Sequence, residues 1–253
     1  MLILCYSMTK LLVLYVFHIY NDRVKHFIEN CIFYDKDVDF MVISNDKTIP
    51  FKVPTYVKKM HRDNIGYDFG GWSDALLTDK LYEGYDNFIF VNSSVMGPFL
   101  PSYYKGKWTD IYINGLKDNV KLFGSTINTC GKPLTMSHVQ SYIFSMDKTT
   151  LQYLMKCKIF SVTNYAKHMK EAIRNKEVLM STYVLKNNWN IGSLLPQYEN
   201  IDFTFNRKKP EECNIQFLHD IMYIQFLNKL WTVYHVVFIK GNRIPSVSCF
   251  KLT

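Results

Sequence analysis

The sequence contains none of the short motifs that mark several large enzyme classes. It has no Gly-x-Ser-x-Gly elbow, no Walker loop, no His-Glu-x-x-His helix and no Gly-x-Gly-x-x-Gly fingerprint. Serine hydrolases, P-loop ATPases, zinc proteases and Rossmann dehydrogenases are therefore disfavoured. Low-complexity tracts and internal repeats are also absent, so we expect residues 1–253 to form a single domain.

Cysteine is scarce and scattered, and no two cysteines have the Cys-x-x-Cys spacing of a zinc or redox site. We therefore expect reduced thiols that pack in the core of a cytoplasmic protein. The six residues are Cys5, Cys31, Cys130, Cys157, Cys213 and Cys249.

An uninterrupted apolar run of membrane-spanning length is missing as well. Residues 2–20 have the hydropathy of a signal peptide or anchor, but Lys10 interrupts them and no Ala-x-Ala-like cleavage site follows. The β-branched and aromatic content of residues 11–17 is more typical of a buried strand. We therefore expect no transmembrane segment, while peripheral membrane association stays open.

The net charge of +8 and the pI of about 9.0 suit nucleic acid, anionic membranes or anionic small molecules as partners. No DNA- or RNA-binding motif accompanies the lysines and arginines, which are spread along the chain. A phosphate-bearing small ligand therefore fits better than a nucleic acid. A basic surface that maintains solubility explains the charge equally well.

Alternating strand and helix patterns predict an α/β fold with a mixed, mostly parallel central sheet flanked by helices. In the first half, strands are expected at 11–17, 38–44, 53–60 and 87–91, and helices at 22–30 and, with Asp68 as N-cap, at 69–78. In the second half, strands are expected at 122–126, 138–145 and 233–239, helices at 148–156, 164–175, 177–187 and 216–228, and loops at 127–137 and 199–213.

Residues 62–72, Arg-Asp-Asn-Ile-Gly-Tyr-Asp-Phe-Gly-Gly-Trp, combine three glycines with charged, amide and aromatic side chains. Glycine permits a positive φ and a close approach of backbone to ligand, and Arg62 can fork onto a phosphate. Asn64 and Asp68 can bind hydroxyl groups. These groups suit a ligand that is both phosphorylated and polyhydroxylated, although a solvated turn before a helix has a similar composition.

Two further loops follow predicted strands, where the ligands of α/β sheets gather. They are residues 18–20 and the Asn-Ser-Ser sequence at 92–94, which also suits a plain turn. The pairs Asp35-x-Asp37 and Asp37-x-Asp39 have the spacing of metal ligands. Because they precede a strand, we expect them at the opposite edge of the sheet and reject them as ligands.

Two titratable residues of the second half are candidates for chemistry. His138, with Gln140 beside it, lies on a predicted strand and either faces a ligand or is a satisfied core histidine. Glu177 begins a predicted helix, where a carboxylate favours the positive end of the dipole. The same position also suits a general base that takes the proton of a hydroxyl group.

In order and spacing these motifs resemble those of the rhamnan synthesis protein F-like glycosyltransferases and of related proteins in algae, protists and large viruses. The resemblance continues through residues 121–128, 138–141, 177–181 and 236–243, and so covers nearly the whole chain. The motifs that carry it are Phe17-His-Ile-Tyr20, Arg62-x-Asn64-x-Gly66-x-Asp68-x-Gly70-Gly71-Trp72 and Tyr85-Asp86-x-Phe88-Ile-Phe-Val-Asn92-Ser93-Ser94-x-x-Gly97-Pro98.

The resemblance implies a single GT-A-type domain, with residues 11–100 as the half that binds a nucleotide sugar and residues 101–253 as the acceptor side. It implies transfer of a hexosyl or deoxyhexosyl group, with inversion, from a UDP-, GDP- or dTDP-linked donor to a hydroxyl of a glycan or glycoprotein. The resemblance implies that the nucleotide base is contacted by His18 and Tyr20, and that the diphosphate and sugar are held by Arg62, Asn64, Gly66 and Asp68. It places Asn92, Ser93 and Ser94 where such enzymes carry an Asp-x-Asp motif, and it lets His138 and Gln140 face the sugar or the acceptor. The catalytic residues that it implies are Glu177 and Asp68.

Two departures from the family pattern bear on metal use. Relatives often carry Asn-Asp-Ser where this sequence has Asn92-Ser93-Ser94, and His235 stands where a glutamate is expected. Whether Asn92 and Ser94, with His235 as a further candidate, bind Mn²⁺ or Mg²⁺ therefore stays open, since Arg62 or lysines can offset the diphosphate charge instead. An inactive nucleotide- or carbohydrate-binding module is the alternative to an enzyme.

Overall fold

The protein is described by a computed structural model over residues 9–130, 132, 134–213 and 215–243. The strands are β1 (Leu11–Phe17), β2 (Val38–Ser44), β3 (Lys58–His61), β4 (Asn87–Asn92), β5 (Val95–Met96), β6 (Val120–Gly124), β7 (Ile127–Asn128), β8 (His138–Val139), β9 (Ile143–Asp147), β10 (Asn190–Ser193) and β11 (Ile239–Lys240).

The helices alternate with these strands along the chain. They are α1 (Asp22–Asn30), α2 (Tyr67–Leu77), α3 (Trp108–Asn114), α4 (Lys148–Lys156), α5 (Met169–Glu171), α6 (Leu179–Lys186) and α7 (Val233–Val236), and a π-helical segment at Ala172–Val178 joins α5 to α6. Short 3₁₀ turns lie at Leu81–Gly84, Leu134–Met136, Pro196–Tyr198, Pro210–Cys213 and Ile224–Phe226.

A seven-stranded sheet forms the centre of the protein, in the order β10-β6-β9-β4-β1-β2-β3. Only β9 runs antiparallel to its neighbours in this sheet, so the carboxyl ends of β1, β2, β4 and β6 meet at one edge. The small ribbons β5–β11 and β7–β8 are both antiparallel. The predicted α/β class with a mixed, mostly parallel sheet is confirmed.

The core lies on both faces of β1 and β4, whose residues are nearly all buried. Such continuous apolar runs are typical of strands that are covered on both sides. On one face Tyr15 stacks on Phe27 of α1, with 3.9 Å between ring centroids. On the other face Trp72 of α2 meets Phe90 edge-on at 5.5 Å.

The predicted start of α2 is two residues too late. The helix begins at Tyr67 and its N-cap is Gly66, not Asp68, because glycine tolerates the left-handed φ of +79° that the entering chain adopts. Asp68 therefore lies in the first helical turn. The predicted strand at 53–60 is also too long, since Val57 N–H donates to the carbonyl of Pro54 and closes a turn before β3.

The helix prediction around Glu177 is wrong as well. α5, the π-helical segment and α6 form one continuous helical stretch from Met169 to Lys186, so Glu177 lies inside it and does not begin a helix. Residues 164–168 precede this helical stretch and are not helical. The predicted strand at 138–145 is divided into β8 and β9.

The end of the chain departs most from the predictions. Residues 216–228 contain only a 3₁₀ turn instead of the expected helix. The predicted strand at 233–239 is α7 followed by β11, because the Thr232 hydroxyl caps the helix by accepting from His235 N–H at 3.3 Å.

Of the cysteines in the described residues, only Cys31 is fully buried, and Cys130, Cys157 and Cys213 are partly exposed; all four are free thiols. The expectation of core thiols therefore holds for Cys31 alone, and Cys5 and Cys249 lie outside the described residues, as do Gly131 and Pro133 of the predicted loop. None of the described helices combines the length and the apolar character needed to cross a bilayer. The cytoplasmic setting stays a prediction.

Candidate active site

The carboxyl edge of the sheet gathers the loops that the sequence singles out. Val16 of β1 pairs with Asn92 of β4, so the segments that follow these two strands leave the sheet side by side. Phe17 accepts from Asn45 N–H at 2.7 Å, which ties the end of β1 to the loop after β2. The first turn of α2 enters the same edge and carries Asp68.

A chain of hydrogen bonds joins Asp68 to the loop after β4. The Asn92 Nδ2 donates to Asp68 Oδ2 at 3.0 Å. The Asn92 Oδ1 accepts from both the backbone N–H of Ser94, at 3.0 Å, and its hydroxyl, at 2.6 Å. Because Ser94 occupies the amide oxygen, the amide nitrogen of Asn92 is held toward the carboxylate.

Asp68 has a raised pKa. Burial, which disfavours its charged form, raises the pKa of the half-buried carboxyl to about 6, and the nearby negative charge of Glu177 adds to the effect. The hydrogen bond from Asn92 and the positive charge of Lys240 act in the opposite direction but do not cancel the rise. A carboxylate with such a pKa is suited to accept a proton near neutral pH.

Glu177 lies in the π-helical segment, a geometry often found at functional sites. The wider turn sends adjacent side chains to different partners. Lys176 is buried and donates to the carbonyls of Lys158 and Ile159, whereas Glu177 turns toward β8 and the residues after it. Its Oε2 accepts from the backbone N–H of Ser141 at 2.9 Å and also from the Ser141 hydroxyl.

His138 completes an ion pair with Glu177. Its Nε2 lies 3.5 Å from Glu177 Oε1, and its Nδ1 donates to the carbonyl of Met136 at 2.6 Å. Burial opposes charge on both groups, but the hydrogen bond and charge of each partner outweigh it. The pKa of His138 is raised, and the pKa of Glu177 is lowered to about 2. Glu177 is therefore ionised at neutral pH.

Lys240 reaches the site from the far end of the chain. β11 pairs with β5 so that Lys240 lies opposite Val95, and Gly241 N–H donates to the carbonyl of Ser94 at 2.7 Å. The ammonium group is close enough to act on the charges of Asp68, Glu177 and His138. Four ionisable groups thus converge at the carboxyl edge of the sheet.

The sequence profile of the family described as rhamnan synthesis protein F matches residues 36–211, more than half of the 253 residues. The chain belongs to the rhamnan synthesis protein F family.

Two curated proteins and one solved structure are also similar to the chain. The two curated proteins are both virulence protein VirA, one of Vibrio anguillarum strain ATCC 68554 / 775 and one of Vibrio anguillarum without a stated strain. Each is 32% identical to this chain over 100 residues, which cover 38% of this chain and 28% of the relative. The apo form of glycosyltransferase GlyE of Streptococcus pneumoniae TIGR4 has a TM-score of 0.40 and 11% identity, and the match covers 76% of this chain and 48% of GlyE.

Arg62, predicted to hold the diphosphate of a family donor, lies in the protein interior. It is 6% exposed, and each of its nitrogens has a partner within the protein. Nε donates to Asp74 Oδ2 at 2.6 Å, and the terminal nitrogens donate to Asn45 Oδ1 and the carbonyl of Ile65, each at 2.7 Å. These contacts fix the loop before α2, and contact of Arg62 with a diphosphate stays a prediction.

Among the residues predicted at the nucleotide base, His18 and Tyr20 are exposed at the carboxyl edge. His18 Nδ1 lies 3.0 Å from the carbonyl of Asn45, and Tyr20 packs edge-on against Phe17. Asn64 is likewise exposed, whereas Gly66 is buried beneath the ring of Tyr165. His18, Tyr20 and Asn64 are therefore open to a ligand.

Gln140 and His235 do not share the surroundings of Asp68. Gln140 is buried, and its side chain accepts from the Thr126 hydroxyl at 2.8 Å and donates to Asp220 at 3.4 Å. His235 is exposed in α7, where its Nδ1 accepts from Thr232 N–H at 3.3 Å. Both side chains thus have hydrogen-bond partners in local structure, and their contact with a ligand or metal stays a prediction.

Arg23 and Lys240 were missed as site residues by sequence reasoning. Arg23, in the first turn of α1, donates from Nε to the carbonyl of Ser93 at 3.1 Å. The sequence position of Arg23, just after the strand that ends in Phe17, indicates its proximity to the carboxyl edge. Lys240 lies in the stretch 236–243 that shares the family resemblance, but its position beside residues 93–94 depends on a pairing between residues far apart in the chain.

Proposed function

We propose that the protein transfers a sugar from a nucleotide diphosphate sugar to a hydroxyl group of a glycan or glycoprotein acceptor. Family membership supports the reaction class, and the cluster of Asp68, Glu177, His138 and Lys240 at the carboxyl edge supports the location. The GT-A type of nucleotide-binding fold is part of this proposal, as are a hexosyl or deoxyhexosyl donor and inversion of configuration.

The observation that carries the proposal is the convergence of Asp68, Glu177, His138 and Lys240 at the carboxyl edge of the sheet, and the contrast between the two carboxylates supports it. The pKa of Asp68 is raised to about 6, whereas that of Glu177 is lowered to about 2. Carboxylates whose surroundings separate their pKa values in this way commonly divide acid–base roles between them. Asp68 is the better proton acceptor, because the most effective base has a pKa close to the working pH.

In the proposed reaction Asp68 takes the proton of the acceptor hydroxyl. The oxygen forms a bond to the anomeric carbon as the bond from that carbon to the diphosphate oxygen breaks, and the nucleoside diphosphate leaves with the bonding electrons. One base and a single displacement of this kind invert the anomeric centre. Asn92 orients Asp68 by its hydrogen bond of 3.0 Å.

Glu177 has a positioning role in this proposal, in contrast to the role of base that the sequence indicates. It holds His138 and the backbone of Ser141, and its negative charge raises the pKa of Asp68. The exposed side chains of His18, Tyr20 and Asn64 are proposed contacts for the nucleotide, with Ser93 and Ser94 beside the diphosphate and sugar.

The side chains around Asp68 do not fit a divalent metal well. The amide oxygen of Asn92 already accepts two hydrogen bonds from Ser94. Among the residues that the structure describes, no three His, Cys, Asp or Glu side chains are grouped so that they could hold a metal ion. Mn²⁺ and Mg²⁺ prefer carboxylate-rich oxygen sites, so no step of the proposed reaction is assigned to a metal.

A thermal-shift screen tests the proposal. The donor nucleotide is expected to raise the Tm of the wild type, since a ligand at 100 times its Kd stabilises the folded state by about 2.7 kcal/mol. UDP, GDP and dTDP are each compared with and without Mn²⁺, followed by assays of sugar transfer from the matching donors. Absence of stabilisation by all three nucleotides would count against the proposal.

The serine at position 93, where the family resemblance implies a carboxylate, favours a second candidate, a binding module without turnover. Such a module has a higher Tm when a nucleotide binds, but it releases no sugar above background with any donor and acceptor. Measuring binding and transfer on the same preparation separates the two functions.

A further inference from the structure

Lys240 is held beside the loop after β4 by backbone contacts. The β5–β11 ribbon places it opposite Val95, and the next residue, Gly241, donates to the carbonyl of Ser94 at 2.7 Å. The backbone at Lys240 is therefore held by hydrogen bonds between strands and not by a loop contact. Asn92, the partner of Asp68, lies two residues before Ser94.

The ammonium group of Lys240 lacks a close anionic partner. It acts electrostatically on Asp68 and Glu177, but within the described residues no carboxylate lies within 4.0 Å of it and no side-chain hydrogen bond satisfies it. The Glu177 carboxylate is already paired with His138 and Ser141. A half-buried ammonium without a partner favours an anion from solution.

Arg23 supplies a second cation to the same place. Its Nε donates to the carbonyl of Ser93, and its terminal nitrogens make no hydrogen bond to the described part of the chain. The side chain packs against the backbone of Gly241, where a Cβ built on the glycine falls 2.9 Å from Arg23 Cδ. Arg23 and Lys240 thus approach residues 93–94 from α1 on one side and β11 on the other.

Two neighbouring cations repel each other unless an anion lies between them. A diphosphate ester carries two negative charges, presents several oxygens and spans two cation sites. A guanidinium and an ammonium are the side chains that most often bind phosphate groups. The loop at residues 93–94 lies at the carboxyl edge, where the ligands of α/β sheets bind.

We propose that Lys240 and Arg23 bind the diphosphate of the donor and offset the negative charge that develops on it as the sugar leaves. This inference rests on the proposed transferase function and names the residues that take the part expected of Arg62 and of a metal ion. Lys240 contacts the diphosphate in this arrangement, whereas Arg62 does not.

Titration with inorganic pyrophosphate and with UDP, GDP and dTDP tests the proposal, in EDTA, by calorimetry. Lys240→Met and Arg23→Met are each expected to weaken pyrophosphate binding by about tenfold or more, the usual effect of losing a hydrogen bond to a charged group. Lys240→Arg is expected to restore most of the affinity. Lys117→Met is the matched control, because Lys117 is an exposed lysine that precedes β6 at the other edge of the sheet.

The outcomes separate this inference from the transferase function. If both methionine variants bind a nucleoside diphosphate as tightly as the wild type does, the assignment of Lys240 and Arg23 is overturned. The transferase function is left standing by this outcome. Binding that disappears in EDTA and returns with Mn²⁺ overturns it as well. A wild type that binds neither pyrophosphate nor any of the nucleotides contradicts both. Folding of each variant is judged by its Tm without ligand. If Lys240→Met fails to fold, Lys240→Gln replaces it.

Discussion

Asn92 Nδ2 donates to Asp68 Oδ2 over 3.0 Å and thereby joins the end of β4 to the first turn of α2. The same asparagine is fixed by Ser94, so its amide has a set orientation. The other oxygen of Asp68 has no hydrogen bond to the described part of the chain. The carboxylate is thus held by one oxygen and available to a substrate through the other.

Asp68→Asn is expected to lower kcat by a factor of about 10² to 10⁴, the usual contribution of general acid–base catalysis, while nucleotide binding persists. For the wild type, kcat/KM should fall about tenfold per pH unit below pH 6, because the base is protonated below its pKa of about 6. Sugar transfer measured between pH 5 and 8 checks both statements. Asp63→Asn, an exposed residue of the same loop, serves as control, and an unchanged rate in Asp68→Asn would falsify the role of base.

Glu177→Gln is expected to remove a pH-dependent part of the stability. The folded-state pKa of about 2 lies below the unfolded value of about 4.3, so the ion pair stabilises the protein above pH 4.3 and this contribution is lost as the pH falls toward 2. The shift corresponds to about 3 kcal/mol for this largely buried side chain. Urea unfolding measures the free energy of unfolding of wild type and variant at pH 5 and pH 3. The difference between the two proteins should be smaller at pH 3.

Glu83→Gln is the control for this comparison, since Glu83 is largely exposed and, among the described residues, forms only a surface ion pair of 4.0 Å with Lys80. Its stability should follow the wild type at both pH values. If the difference in free energy of unfolding between wild type and Glu177→Gln does not change with pH, the interaction with His138 does not lower the pKa of Glu177 as far as assigned.

Local sequence patterns predict the elements that local chemistry determines. β1, α1, β2 and α4 begin and end where their periodicity and caps indicate, with Asn21 capping α1 and Asp147 capping α4. The carboxyl edge as the predicted place of the site rests on the general behaviour of α/β sheets. These features need only neighbouring residues and the general behaviour of α/β sheets.

The parts that the sequence does not predict depend on contacts between distant residues. Arg62 pairs with Asp74 and Asn45, which only the folded chain brings around it. The π-helical turn at Glu177 has no sequence pattern of its own, and the pairing that positions Lys240 joins β5 to β11 across most of the chain. The difference in pKa between two carboxylates depends on burial, which a motif does not encode.

Arg62→Met is expected to lower the free energy of unfolding by about 2–3 kcal/mol, because it removes the charged hydrogen bonds of a buried guanidinium and leaves the partly buried Asp74 without its cationic partner. Where the variant remains folded, its affinity for pyrophosphate should equal that of the wild type, since the guanidinium does not face the site. Urea unfolding and calorimetry at low temperature measure the two quantities. Arg207→Met, an exposed arginine, is the control, and a loss of affinity without a loss of stability would show that Arg62 binds the ligand directly.

Gly66→Ala is expected to destabilise the protein by about 2 kcal/mol, because an alanine at φ +79° is strained and its Cβ falls 2.7 Å from the Tyr165 ring. Asp68 lies two residues further on, so a shifted first turn of α2 should also lower kcat. Gly84→Ala provides the matched control, since no atom lies within 4 Å of its Cβ and its φ is not positive. Thermal unfolding of both variants checks the prediction, and equal Tm values would mean that the left-handed N-cap does not fix the position of Asp68.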